Sequence, residues 1–317
     1  MWLSGSSDLI AKLRERGAQR VALQFPEGLK RQAVTLASDL RAAGFAVLVS
    51  GDPCYGACDL ALDTVTEGQA DLLVHFGHAP VDDSPGVLFE PWKVDFRVEA
   101  LEQALPLLRE KTPGLVTTVQ HAHLIPAMEA FLASRGYETR VAGGTKRTPL
   151  RGQVLGCSFA AAKATGAREI LFVGTGVFHP VGIALATKAR VIALDPLTGT
   201  AQEISAESLL RRRSAVIEKA RGARSFGIIL STKSGQKRRE LAERLAGLAP
   251  GAVMVTLREV TPDQLLNLGF DCYVNTACPR LAYDDQVRFC RPVLSPQEFE
   301  ILCGTRAWED YTIDEIA

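Results

Sequence analysis

A unit of roughly one hundred residues, the size of a small domain, recurs three times along this chain and narrows its possible folds more than any single motif does. Each copy opens with a β-rich run, a glycine-bounded amphipathic helix and a second strand. In "RVALQFPEGLKRQAVTLASDLRAAGFAVLVSG", "VALQF" reads as a buried strand, Leu29, Ala33, Leu36 and Leu40 share one helical face, and Gly44 stops the helix. "GLVTTVQHAHLIPAMEAFLASRGYETRVAGG" repeats the pattern with Met128, Phe131 and Leu132, and "FGIILSTKSGQKRRELAERLAGLAPGAVMVTL" with Leu241, Leu245 and Leu248. A third strand follows in "ADLLVHFGHAP", "REILFVGTGVFHP" and "FDCYVNTACPR", and a shorter fourth in "GVLFEP", "ARVIALDP" and "RPVLSP". Crossovers of this length join parallel strands with helices on both faces. The expected fold is therefore α/β: three homologous domains, 1–112, 113–222 and 223–317, each a small four-stranded parallel sheet flanked by helices. "SLLRRRSAVIEKARGAR" is expected to link the second to the third, with Arg211–Arg213 on a solvated face.

The 36 Lys and Arg balance 36 Asp and Glu, so no overall field draws the chain to nucleic acid or anionic lipid. The first residues, "MWLSGSSDLIAKLRERG", lack the basic and apolar regions of a signal peptide, and no apolar run nears the ~20 residues that span a bilayer. A cytoplasmic protein is expected. Its seven cysteines, an odd number in a reducing compartment, then point to metal binding, catalysis or plain burial in preference to disulfides.

Ligands of open parallel sheets sit at the carboxyl ends of the strands, where the loops converge. Cys58 and Cys157 follow the second strands of their units and Cys278 the third strand of the last, each in a turn containing glycine or proline. They lie 99 and 121 residues apart, so only a tertiary arrangement such as a pseudo-threefold packing could unite them. Three thiolates suit a [4Fe–4S] cluster with one open iron, or a Zn²⁺ ion with water as fourth ligand; buried cysteines acting as small hydrophobes are the plain alternative. Cys272 falls within a strand and reads as core, and Cys290 and Cys303 carry no turn signature.

At "LQFPEGL", "GDPCYGACD", "HFGHAPV", "VLGCSF", "GTGVFHPVGIAL", "STKSGQ" and "ACPRLAYDD", in that order through all three units, the chain resembles the archaeal diphthamide synthases, the 2-(3-amino-3-carboxypropyl)histidine synthases. The resemblance implies three similar α/β domains, a homodimer, and a [4Fe–4S] cluster held by Cys58 (YGAC), Cys157 (LGC) and Cys278 (ACPR), with Cys54 a neighbour and not a ligand. It also implies non-conventional radical chemistry on S-adenosyl-L-methionine. A 3-amino-3-carboxypropyl group passes to a histidine of translation elongation factor 2, with a cellular electron donor as further partner.

Around the cysteines, Gln236 after Gly235 is a candidate to hydrogen-bond the substrate, or else a surface residue at a helix start. Arg280 is a candidate to pair with the methionine carboxylate, or else half of a surface ion pair. Gln24 either caps its helix or borders the pocket, and His179 either contacts the adenosyl group or is a satisfied loop histidine. His75 and His78 are assigned no chemistry. The competing readings are a zinc-dependent hydrolase, which lacks an evident base motif such as HExxH, and a non-catalytic nucleotide-binding or supporting subunit.

Overall fold

The computed structural model describes residues 6–316. The first unit carries β1 (Arg20–Gln24), β2 (Ala46–Val49), β3 (Leu72–Phe76) and β4 (Val87–Glu90) in the order β2-β1-β3-β4, all parallel. In the second, β5 (Gly114–Thr117), β6 (Glu169–Val173), β7 (Arg190–Asp195) and β8 (Thr200–Ile204) run in chain order. The third repeats the first topology with β9 (Phe226–Ser231), β10 (Val253–Leu257), β11 (Cys272–Asn275) and β12 (Val293–Leu294), ordered β10-β9-β11-β12. Central strands are covered on both faces, as parallel sheets require: β3, β6 and β11 are buried throughout. The edge strands β2 and β10 are largely solvated.

The second unit departs from the expected pattern twice. Its second strand, placed in "YETRVAGG", is reduced to isolated bridges, Arg140 to Gly114 and Gln153 to Thr117. The adjacent Gly143 and Gly144 and then Pro149 interrupt any ladder between them. Its sheet also ends in β8, which runs antiparallel to β7 and was not expected. A tight turn sets up that hairpin: the Gly199 N–H donates to the Asp195 carbonyl (2.9 Å), and the Asp195 carboxylate accepts from the Leu197 N–H (2.9 Å).

Packing crosses the chain boundaries between units. Leu101 and Ala104, before residue 112, pack with Leu115, Ile125 and Met128 of the second unit, and the terminal segment returns Tyr311 and Ile313 to that unit's other core. The expected linking helix forms as Glu207–Ala220, with Leu209 in the second unit's core and Ile217 and Ala220 in the third's. Arg211 and Arg212 are solvated, but Arg213 is not: it is 1% exposed. It falls on the stripe Leu209, Arg213, Ile217, Ala220 that faces the protein, so the solvated reading fails there. Its guanidinium binds both oxygens of Glu298 (2.7 and 2.5 Å) and the carbonyls of Ala282 (2.6 Å) and Val293 (2.8 Å).

Candidate metal centre at the junction of three units

Cys58 lies in the loop between β2 and the helix Leu62–Glu67. Cys157 sits with Gly156 at the apex of a tight hairpin closed by reciprocal backbone hydrogen bonds between Leu155 and Ser158 (3.0 and 3.1 Å). A side chain on Gly156 would meet the Phe178 ring at 2.4 Å, so the apex requires glycine. Cys278 follows β11, where Asn275 donates to its carbonyl (2.8 Å) just before the short helix Arg280–Tyr283.

The three units meet at Gly235, in the loop after β9. Its N–H donates to the Cys58 carbonyl of the first unit (3.2 Å), and its carbonyl accepts from Arg147 of the second (2.9 Å). A Cβ there would lie 2.5 Å from the Cys58 Cα, so only glycine permits this approach. Arg147 also reaches the Cys157 sulfur (3.6 Å), and the Gln236 amide donates to the Cys58 sulfur (3.3 Å). The terminal segment closes the second side: the Ile316 N–H donates to the Cys157 carbonyl (2.8 Å), and Asp314 pairs with Arg238 (2.7 Å).

The sulfurs feel one another. Burial pushes the Cys58 thiol up, with Cys157 adding to the effect, while the Gln236 amide and Arg147 draw it down. Burial, then Cys58 and Cys157, push Cys278 up to about 12. Sulfurs gathered so closely, with the Cys58 and Cys278 thiols pushed up, are poor company as thiolates unless a cationic centre takes their charge. Arg147 supplies part of it, and its Nε, buried without a hydrogen-bond partner, leaves an N–H free for an anionic group. The donor set and its surroundings therefore fit a thiolate-bound iron–sulfur cluster. Among the described residues, these sulfurs are not among the ligand atoms that crowd within 4.8 Å as a single ion's would; that spacing is found at Cys54, His75 and His78.

A cavity of about 290 Å³ opens on Cys58, Cys278 and Gln236. Lys233, Arg258, Arg280 and Arg288 give its wall an excess of positive charge over Glu259 and Asp285. Lys233 is buried, and burial alone would lower its affinity for the proton. Its bonds to Glu259 (2.6 Å) and Asp59 (2.9 Å) outweigh that and raise it, keeping the ammonium charged beside the Tyr55 ring.

The expected contacts fare unevenly. Gln236 is buried on Cys58, so it is not a surface residue at a helix start. Arg280 lines the cavity yet pairs with Asp284 on the exposed side of its short helix (2.8 Å). His179 stacks on Phe172 (ring centroids 5.9 Å apart) and does not line the cavity; burial holds it neutral, down to about 4. Gln24 caps nothing: the turn Glu27–Gln32 has Pro26 at its N-terminus, and Gln24 instead props the Cys58 loop from below. Cys272 is core and Cys303 packs at a core margin, whereas Cys290 is exposed. Arg147 and Lys233 escaped the sequence reading. Lys233 lies inside "STKSGQ", a position that signals function only once its loop is known to meet Cys58; Arg147 lies in an irregular segment with no local signal.

Residues 25–313 match the family model described as "Putative diphthamide synthesis protein". The chain is 37% identical to the 2-(3-amino-3-carboxypropyl)histidine synthase of Pyrococcus horikoshii, over 98% of this chain and 92% of that one. It is 33% identical to subunit 1 of the chicken (Gallus gallus) enzyme, covering 96% and 78% of the two chains. The crystal structure of Dph2 from Pyrococcus horikoshii with a 4Fe-4S cluster superposes with a TM-score of 0.93 at 37% identity, over 98% of this chain and 93% of that one. A family match across most of the chain, a full-length relative and a shared three-unit fold agree: the chain belongs to the diphthamide synthesis family.

Proposed function

We propose that this chain is a 2-(3-amino-3-carboxypropyl)histidine synthase, which transfers the 3-amino-3-carboxypropyl group of S-adenosyl-L-methionine to a histidine of translation elongation factor 2. The observation that carries the reading is the meeting of the three units at Gly235, where Gln236 reaches the Cys58 sulfur and Arg147 the Cys157 sulfur, beside a cationic cavity lined by Cys58 and Cys278. Cys58, Cys157 and Cys278 would hold a [4Fe–4S] cluster. Such a cluster, with one iron free of protein, supplies a site for the sulfonium reagent and an electron, delivered by a cellular donor, for cleaving its bond to the methionine γ-carbon.

The chain's own residues do the rest. Gln236 orients the Cys58 sulfur, and Arg147 offsets the charge of Cys157. Lys233, Arg258, Arg280 and Arg288 draw the methionine carboxylate into the cavity, fixing which carbon faces the sulfurs. Buried Gln236 helps keep water from the reacting carbon, and 5′-methylthioadenosine leaves. The protein works as a homodimer in the cytoplasm.

Anaerobic reconstitution tests this: the protein should turn brown, bind iron and sulfide, and release 5′-methylthioadenosine on reduction with dithionite. Cys58→Ala, Cys157→Ala and Cys278→Ala should each lose iron, and Cys290→Ala and Cys303→Ala should keep it. Equal iron loss from all five, or cleavage of S-adenosyl-L-methionine only to other products, refutes the assignment.

A further inference from the structure

Beneath the Cys58 loop lies a group the sequence reading left without chemistry. Cys54 and His75 are buried and His78 is half-buried, and one ligand atom from each lies within 4.8 Å of the others. His75 is in β3, His78 two residues past its end, and Cys54 in the loop after β2. His75 Nε2 and His78 Nδ1 stand 3.0 Å apart.

Hydrogen bonding fixes the protons. The Gln24 amide nitrogen donates to the Asp59 carbonyl (2.6 Å), so its oxygen is the acceptor that faces the Ala61 N–H (3.2 Å) and His75 Nδ1 (2.8 Å). His75 therefore carries its proton on Nδ1 and turns the Nε2 lone pair toward His78. A ring nitrogen anchored to a carbonyl oxygen while the other is left free is how proteins prepare a histidine to bind metal. His78, as a neutral imidazole, has one N–H for two acceptors, the Phe76 carbonyl and that lone pair. A cation between the rings relieves that shortage.

We propose that Cys54, His75 and His78 form a second metal site, separate from the three-cysteine junction, that takes a divalent ion of the zinc class with solvent as fourth ligand. One thiolate and two imidazoles are the donors such ions prefer. Bonds of about 2.0 Å to nitrogen and 2.3 Å to sulfur place tetrahedral ligand atoms roughly 3.3–3.6 Å apart, against 3.0 Å between the two ring nitrogens and at most 4.8 Å across the present group. The Cys54 thiol, pushed up to about 12 by burial, loses its proton to solvent as the ion binds. The ion then ties the loop that carries Cys58 to β3, four residues from the junction sulfur.

The test uses cluster-reconstituted protein given one equivalent of zinc sulfate anaerobically and desalted, with zinc and iron measured together and the zinc environment read by X-ray absorption. The expected result is one zinc per chain beside a full iron complement, with one sulfur and two nitrogens in its shell. Cys54→Ser, a near-isosteric change, and His78→Gln should each lower zinc retention about tenfold or more and leave iron unchanged. Absence of zinc from the iron-loaded wild type, zinc retained equally by both variants, or zinc gained only at the expense of iron overturns the proposal. In the first two outcomes the iron count still stands as support for the cluster, so the two readings fail separately.

Discussion

Gly235→Ala is the most economical way to disturb the junction, because it adds one methyl group and no charge. The new Cβ would lie 2.5 Å from the Cys58 Cα and 2.7 Å from its Cβ, and both belong to a loop already fixed by Gln24. Neither atom is the end of a flexible side chain, so the loops must separate by close to an ångström. Overpacking of this kind costs about 1–3 kcal/mol, and straining the Gly235–Cys58 and Arg147–Gly235 hydrogen bonds adds about 1 kcal/mol. A total of about 2–4 kcal/mol, borne by the conformation that gathers the sulfurs, weakens cluster retention by roughly 30- to 1,000-fold at 1.4 kcal/mol per decade. Each unit's core lies away from the contact, so the melting temperature should fall by only a few degrees. Anaerobic iron and sulfide analysis during chelator challenge measures the first quantity, and thermal melting followed by circular dichroism the second. Gly143→Ala, where nothing lies within 4 Å, is the control. A Gly235→Ala protein that keeps its cluster as wild type does would show that the three units need not close on this glycine, and the reasoning would fail.

Arg213→Met leaves Glu298 buried without its partner and should destabilise the protein by about 3–5 kcal/mol in urea unfolding; a loss below about 1 kcal/mol would mean that the pair is not a buried structural tie. The pH dependence of stability should carry a signature of His179. Its folded value, about 4, lies below the ordinary 6.5, so its contribution is complete above pH 6.5 and lost as pH falls toward 4. At pH 5 wild type should therefore have lost about 2 kcal/mol that His179→Gln does not lose; identical pH profiles for the two proteins would refute the burial argument.

The parts of this structure that could be read in the sequence are those set by local periodicity. Val21 to Leu23 and Ile228 to Leu230 are continuous apolar runs beside glycine-stopped helices, and such runs have few homes other than the centre of a parallel sheet. Cysteine beside glycine likewise announced itself, because a tight turn narrows what a thiol there can do. What escaped was set across units. Arg213 looked like one charge in a basic run. Its helix spacing from Leu209 and Ile217 was visible, but only the presence of Glu298 85 residues away makes a buried guanidinium tolerable. Arg147 lies in the irregular segment that replaced an expected strand, so no period marked it, and its role exists only because Gly235 and Cys157 come within reach. Gln24 shows the same logic in a single residue. Its amide was legible as polar chemistry at the end of a strand, but which of its two atoms accepts a proton is decided by the Asp59 carbonyl 35 residues on. That choice then fixes the tautomer of His75, 51 residues on. Repetition specified the three scaffolds, and the contacts between them, which no repeat encodes, determine what each side chain at the junction does.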